Sequence, residues 1–166
     1  MKLEEVQLLY DYNYWATGLM LTQAAKLTRE QLAQPTNFPW GSLQKTLIHM
    51  LDTEYGWRSI CQHGLVTPDL PDTLCPTLES IVSYWQAEEA EMRAYLNSLS
   101  DEALNGLIRY DIPEGFRERV LWHCLLHVVN HGTQHRSECA AMLTEMGHSP
   151  GDIDFTLFLN QRAGIE

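Results

Sequence analysis

Apolar residues recur at steps of three and four along most of this chain, the period of a helix with one buried face. The first such stretch covers residues 3–27. The loop QPTNFPWGS follows, and its prolines and glycine break helices. Ser42 is predicted to cap a second helix that runs to about Gln62. The chain is therefore expected to begin with two helices joined by an irregular loop.

The middle of the chain predicts a third helix after a long connection. Three prolines and two aspartates between Gly64 and Pro76 indicate that connection, and Thr77 is predicted to cap the helix after it. The third helix carries an acidic run at residues 88–91, which is expected on a solvated face. Residues 100–116 are expected to be irregular, except that GLIRYDIP is typical of a short paired extended segment.

A fourth helix is predicted from Arg117 to Met146. Gly147 follows it directly, and glycine commonly ends helices in the left-handed conformation. The tail GHSPGDIDFTLFLNQR is expected to form a loop and a short turn of helix packed across the other helices. Four long helices with short and medium connections predict one all-α domain over residues 1–166. The expected architecture is a four-helix bundle with a long connection between its second and third helices.

Composition and charge narrow the classes of partner. Hydrophobic residues make up 45% of the chain and charged residues 20%, as in ordinary soluble globular proteins. Eleven basic residues against 22 acidic ones give a net charge of -11, which repels nucleic-acid phosphates and anionic lipid surfaces. The start MKLEEVQLLYDYNYW lacks the basic segment and continuous apolar run of a secretory signal. We therefore expect a cytoplasmic protein with neither nucleic acid nor membrane as a direct partner.

The cysteines predict a reducing environment. They form no CxxC pair and are too sparse for a disulfide framework, so small buried thiols are expected. The four positions are Cys61, Cys75, Cys124 and Cys139.

Four of the seven histidines recur at every fourth position of the fourth helix, in HCLLHVVNHGTQH. Positions four apart rotate by about 40° and rise about 6 Å, so the four side chains cannot face one point. On the helical wheel, His135 falls near the middle of the apolar face and His131 just inside it. His127 lies at the border and His123 outside. His131 and His135 are the predicted inward pair, one turn apart, and His127 is the reserve candidate.

A third imidazole must come from another helix, because three successive turns span about 12 Å of rise. His49 in LIHMLDTEYGW is the predicted third ligand, since Leu47 and Met50 flank it on an apolar face. An isolated HxxxH pair is more often two ordinary histidines than a metal site. The third histidine favours a metal, because a buried imidazole cluster without a shared cation is electrostatically unfavourable.

Three neutral imidazoles would leave a divalent ion with an open position. Such a centre lowers the pKa of bound water toward about 7, or holds a thiol as its thiolate. A protease of the HExxH type is disfavoured, because Gly132 stands where the general-base glutamate belongs. Four residues are candidates for a general base or for a group that supports a ligand: Asp52, Glu54, Asn130 and Glu138. For each of them, the interpretation as a surface or helix-stabilising residue is favoured. Five tryptophans are candidates for the wall of a substrate pocket, but a position in the hydrophobic core is favoured for each: Trp15, Trp40, Trp57, Trp85 and Trp122.

Three segments of the chain resemble the DinB-like, or damage-inducible, family, which includes YfiT-like members and some thiol-dependent transferases. The first is a histidine in the second helix followed by an acidic residue and a tryptophan, here His49, Glu54 and Trp57. The second is the run HVVNHGTQHRSE, and the third is the ending MGHSPGDIDFTLFL. The resemblance covers essentially the whole chain in the expected order, and it implies the four-helix fold.

The resemblance also implies a divalent ion, often nickel or zinc, and a homodimer. By residue, the implied ligands are His49, His131 and His135. One departure concerns the two residues after Arg136, where the family commonly has Gly and Gln but this chain has Ser137 and Glu138. A packing contact or hydrogen bond behind the ligands is therefore expected to differ.

Two classes of function remain open. One is a metal-dependent enzyme that acts on a small molecule, either as a hydrolase or as a thiol transferase. The thiol transferase would also use a low-molecular-weight thiol. The other is a non-catalytic metal-binding stress-response protein on the same scaffold. The sequence identifies neither the substrate nor the metal, because nickel and zinc both accept imidazole.

Overall fold

The computed structural model describes residues 1–71 and 74–165, and in them the chain is mostly helical. In chain order the elements are α1 (Leu3–Ala24), α2 (Arg29–Leu32), α3 (Leu43–His63), α4 (Leu78–Asn97), α5 (Asp101–Leu104), β1 (Leu107–Ile112), β2 (Gly115–Val120), α6 (Leu121–Glu145) and α7 (Phe155–Arg162). The four long helices α1, α3, α4 and α6 correspond to the four predicted ones. None of the described helices is long and apolar enough to cross a lipid bilayer.

Local signals place the starts of α3 and α4 and the end of α6 as predicted. The side chains of Ser42 and Thr77 each accept a hydrogen bond, 3.2 Å long, from the backbone N–H three residues further on. After α6, Gly147 adopts a left-handed φ of 81°. The N–H of His148 then donates to the carbonyl of Leu143 over 2.8 Å, which closes the last turn.

The core forms where the long helices pack in pairs. Helix α6 contacts α1 and α3, and α4 contacts the same two helices. One apolar cluster is centred on Leu47, Ile81 and Leu143, and a second on Tyr10 and Leu125. Each long helix therefore buries its apolar stripe against two others.

The C-terminal tail packs on α1, as expected. The ring of Tyr12 contacts the rings of Phe155 and Phe158, with centroids 5.2 and 5.9 Å away. The Tyr12 hydroxyl donates to the carbonyl of Ile153 over 3.0 Å. Helix α7 is therefore held against α1 by aromatic contacts and by hydrogen bonds from Trp15 to Gln161 and from Arg162 to Asp11.

The predicted start of the fourth helix at Arg117 is wrong, because residues 117–120 belong to β2. The extended segment predicted in GLIRYDIP is confirmed as β1, and it pairs antiparallel with β2, Tyr110 opposite Arg117. Gly115 turns the chain with a φ of 133°, in the region that favours glycine. The charged residues of FRERV suit a helix, but the turn places them against β1 and the ladder satisfies their backbone groups. The fold is thus mostly helical with one two-stranded sheet, not all-α.

The expectation of a solvated acidic face at residues 88–91 is wrong for Glu88, which is only 5% exposed. Arg58 on α3 donates to both of its carboxylate oxygens, over 2.5 and 2.7 Å. A bidentate ion pair of this kind offsets the hydration that the carboxylate loses on burial. The helical period of α4 could not reveal a partner supplied by another helix.

Candidate metal centre

Three histidine side chains meet where α3 packs on α6. His49 comes from α3, and His131 and His135 come from successive turns of α6. One candidate ligand atom from each lies within 4.8 Å of the other two. The Nε2 atoms of His49 and His131 are 2.9 Å apart. The structure thus brings together the three histidines nominated from the sequence, in a group that could hold a metal ion.

The remaining histidines of α6 lie where the helical wheel placed them. His135 is buried and His131 half-buried, whereas His127 and His123 are exposed. The His127 ring contacts the edge of Trp57, with centroids 5.1 Å apart, and its centroid is 5.8 Å from that of His131. The reserve candidate is therefore a neighbour of the three-histidine group and not a member of it.

Glu138 orients one of the three rings. The Nδ1–H of His135 donates to the Oε2 of Glu138 over 2.8 Å. Both residues are on α6, three positions apart, so the helix itself sets this contact. Because the carboxylate holds the proton on Nδ1, the lone pair of His135 is on Nε2, where a metal ion could be bound.

The surroundings of His49 and His131 keep these two imidazoles neutral. Burial and the adjacent His135 lower the pKa of His49 to about 4. Burial, His135 and His49 lower the pKa of His131 to about 3. At neutral pH both rings therefore present lone pairs, the form that binds metal. A donor set of neutral imidazoles suits zinc and nickel, so the residues present fit the implied ion.

A cleft of about 560 Å³ opens beside His49. Trp40 stacks on the His49 ring, with centroids 3.7 Å apart and planes inclined by 19°. Trp40 is 41% exposed, whereas Trp85 is in the core. The core interpretation is therefore right for Trp85 and wrong for Trp40, which lines the cleft together with Trp57. The polar side chains of the cleft include Lys45, Asp52, Thr53 and Asp69.

A buried polar network lies against the histidine group. Arg136 is fully buried and donates to the Oδ1 of Asn13 and, over 3.0 Å, to Thr133. The Nδ2 of Asn13 donates to Glu54 over 3.1 Å, and the hydroxyl of Tyr14 donates to Glu54 over 2.5 Å. The network joins α1, α3 and α6, so it holds together the two helices that supply the histidines.

The four candidate bases or ligand-supporting groups lie in different surroundings. Glu138 contacts a histidine, as described. Glu54 is buried, so its surface interpretation is wrong, and burial raises its pKa to about 7 although Tyr14 and Asn13 donate to it. Asp52 lines the cleft and accepts from the N–H of Leu70 over 2.8 Å. Asn130 is exposed.

Asn13 and Arg136 were not predicted from the sequence, and Gly132 was the signal that could have indicated them. A glycine in the middle of a helix often indicates close approach of another group. A Cβ at Gly132 would lie 2.7 Å from both Arg136 Nη1 and Asn13 Oδ1. The same clash would exclude the glutamate of an HExxH protease from this position.

We expect Gly132→Ala to lower the free energy of unfolding. The better helix propensity of alanine contributes about 1 kcal/mol, but displacing the buried pair costs about 1–3 kcal/mol, so a net loss of up to about 2 kcal/mol is expected. Urea unfolding followed by circular dichroism measures it. Gly18→Ala in α1 is the matched control, because a Cβ there meets nothing within 4 Å and should stabilise by about 0.5–1 kcal/mol. Equal stabilisation by both substitutions would contradict the close-contact explanation.

Comparisons with known proteins agree with this fold. Protein DinB of Bacillus subtilis (strain 168) is 28% identical to the chain over 159 residues, which cover 91% of each protein. The crystal structure of a DinB-like protein from Bacillus cereus ATCC 10987 matches with a TM-score of 0.70 and 19% identity. That match covers 91% of this chain and 97% of the other, and it shows a shared fold. The DinB family profile matches residues 1–164, and the chain belongs to the DinB family.

Proposed function

We propose that the chain is a divalent-metal protein, built on a four-helix bundle of the DinB type, whose ion is held by His49, His131 and His135. The observation that carries the proposal is the convergence of three imidazoles, within 4.8 Å of one another, from two helices. Three neutral imidazoles complete fewer positions than zinc or nickel takes, so an exchangeable position remains. Such open positions are typical of catalytic centres rather than structural ones.

We further propose that the centre is enzymatic and acts on a small molecule bound in the adjacent cleft. When bound, the ion would supply Lewis acidity that activates water or a low-molecular-weight thiol as a nucleophile. The residues of the chain would orient the reactants. Trp40 covers one face of His49, Trp57 adds an apolar wall, and Lys45 and Asp52 offer polar contacts at the cleft.

Metal analysis tests the ligand set. We expect the wild type to bind about one zinc or nickel ion per chain after reconstitution and dialysis. We expect His49→Ala, His131→Ala and His135→Ala each to lose most of it, because two imidazoles hold an ion much more weakly than three. His127→Ala and His123→Ala are matched controls from the same helix and should retain it. No ion in the wild type, or equal loss in the His127 variant, would contradict this ligand set.

Turnover tests the enzymatic part separately. The metal-loaded protein is assayed with pairs of a thiol and an electrophile, and with activated esters. Activity that disappears with chelator and in His131→Ala, but persists in His123→Ala, supports the enzyme. A stoichiometric ion without turnover of either substrate class favours a non-catalytic metal-binding protein.

A further inference from the structure

A small buried cavity borders both the candidate metal centre and the buried polar network. Its walls include His131 of the metal centre, the network residues Asn13, Glu54 and Arg136, and Trp85 of α4. Its volume is about 10 Å³. One water molecule needs about 10–15 Å³ of such space, so the cavity has room for one species of that size and for nothing larger.

Two buried donors in the walls of the cavity have no acceptor among the residues that the structure describes. They are the indole N–H of Trp85 and the Nε–H of Arg136. Trp85 is 3% exposed and Arg136 is fully buried, so neither donor reaches the bulk solvent. The two Nη atoms of Arg136, by contrast, donate to Asn13 and Thr133. Native proteins rarely leave buried donors unpaired, so both N–H groups require an acceptor inside the cavity.

Glu54 adds a buried acceptor to the same cavity. Its carboxylate accepts one hydrogen bond from Asn13 and one from Tyr14. A carboxylate offers about four acceptor positions, so Glu54 has capacity for a further donor. The species in the cavity must therefore accept hydrogen bonds from Trp85 and Arg136 and also donate to Glu54.

Water meets both requirements, and ions do not. A water molecule inside a protein typically makes about three hydrogen bonds, and it can accept and donate at once. A chloride ion could accept from the two N–H groups, but it cannot donate and the carboxylate of Glu54 repels it. A cation cannot accept from either N–H group, and the guanidinium of Arg136 repels it.

We propose that this cavity is a binding site for one internal water molecule, which accepts hydrogen bonds from Trp85 and Arg136 and donates one to Glu54.

The water would connect the fourth long helix to the buried network. Direct hydrogen bonds of the network join α1, α3 and α6, whereas Trp85 belongs to α4. Through the water, hydrogen bonds link all four long helices beside His131. This site is independent of the proposed metal function, because none of its three hydrogen-bonding groups is a candidate ligand. It can therefore be tested on metal-free protein, and its failure would leave the metal proposal unchanged.

A crystal structure of the full-length protein, at a resolution that shows ordered water, tests the proposal. We expect one density peak in the cavity, about 2.7–3.2 Å from Trp85 Nε1, from Arg136 Nε and from a carboxylate oxygen of Glu54. A second crystal soaked in sodium bromide distinguishes water from an anion, because bromide scatters anomalously and replaces chloride. No anomalous peak is expected in the cavity. An empty cavity, a peak that reaches neither donor, or bromide in the cavity would overturn the proposal.

Nuclear magnetic resonance tests the same site in solution. The indole groups of the five tryptophans are labelled with nitrogen-15, and the signal that disappears in Trp85→Phe identifies Trp85. We expect its indole proton to show a nuclear Overhauser effect to water with the sign of a long-lived bound molecule. Trp40 is the matched control, because its side chain is 41% exposed and should contact only rapidly exchanging water. No such effect at Trp85, or the same effect at both tryptophans, would overturn the proposal.

Discussion

Replacing Arg136 by alanine is expected to lower the free energy of unfolding by about 3–5 kcal/mol. Arg136 is fully buried, and its guanidinium donates to Asn13 and Thr133. The substitution leaves those two acceptors without their donor and removes a positive charge that acts on the buried carboxyl of Glu54. It also leaves a cavity where the side chain packed. A loss of this size is a large part of the roughly 5–15 kcal/mol that stabilises a typical domain.

Urea unfolding followed by circular dichroism measures this loss. Arg117→Ala on the exposed face of β2 is the matched control and should change the unfolding free energy by less than about 0.5 kcal/mol. Arg136→Lys should not restore stability, because an ammonium cannot reproduce the planar donor fork. An Arg136→Ala variant as stable as the Arg117 control would show that the network contributes little.

Replacing Glu138 by alanine is expected to weaken zinc binding by about 10–100-fold. The Glu138 carboxylate accepts a hydrogen bond from the Nδ1–H of His135 over 2.8 Å. It therefore holds the ring in place and makes the Nε2 lone pair a better ligand for a metal ion. Without that partner the ring can rotate and its basicity falls. Glu138→Gln should have a smaller effect, because the amide oxygen still accepts the hydrogen bond but carries no charge.

Competition with a chromophoric chelator measures the zinc affinity of each variant. Glu145→Gln at the exposed end of α6 is the control that removes the same charge without touching His135. The unfolding free energy of the metal-free variants should stay close to wild type, since Glu138 is half-buried at the surface of α6. Unchanged affinity in Glu138→Ala would mean that the ring is held by packing alone.

Parts of the fold and site that depend on short-range signals were predictable. The caps at Ser42 and Thr77 and the turn at Gly147 each act within a few residues, and the structure confirms all three. The inward orientation of His131 and His135 follows from the helical period alone. Metal binding by these histidines stays a prediction, as do the homodimer and the absence of a nucleic-acid partner.

The parts that were not predictable depend on partners distant along the chain. The helical pattern could not show that Glu88 would meet Arg58, since 30 positions separate them. It could not show that Arg136 would reach Asn13 across 123 positions. Residues 117–120 were misassigned to a helix for the same reason, because their strand conformation depends on pairing with β1.

By itself, the sequence determined the four long helical segments, their ends at Ser42, Thr77 and Gly147, and the face on which each histidine of α6 lies, because the helical period and capping chemistry act locally. Only the tertiary structure decided that His49 meets the α6 pair and that Trp40 covers it. Those contacts depend on how α3 packs against α6. The buried charged residues also depend on the tertiary structure, since a charged side chain is buried only where another element supplies its partner.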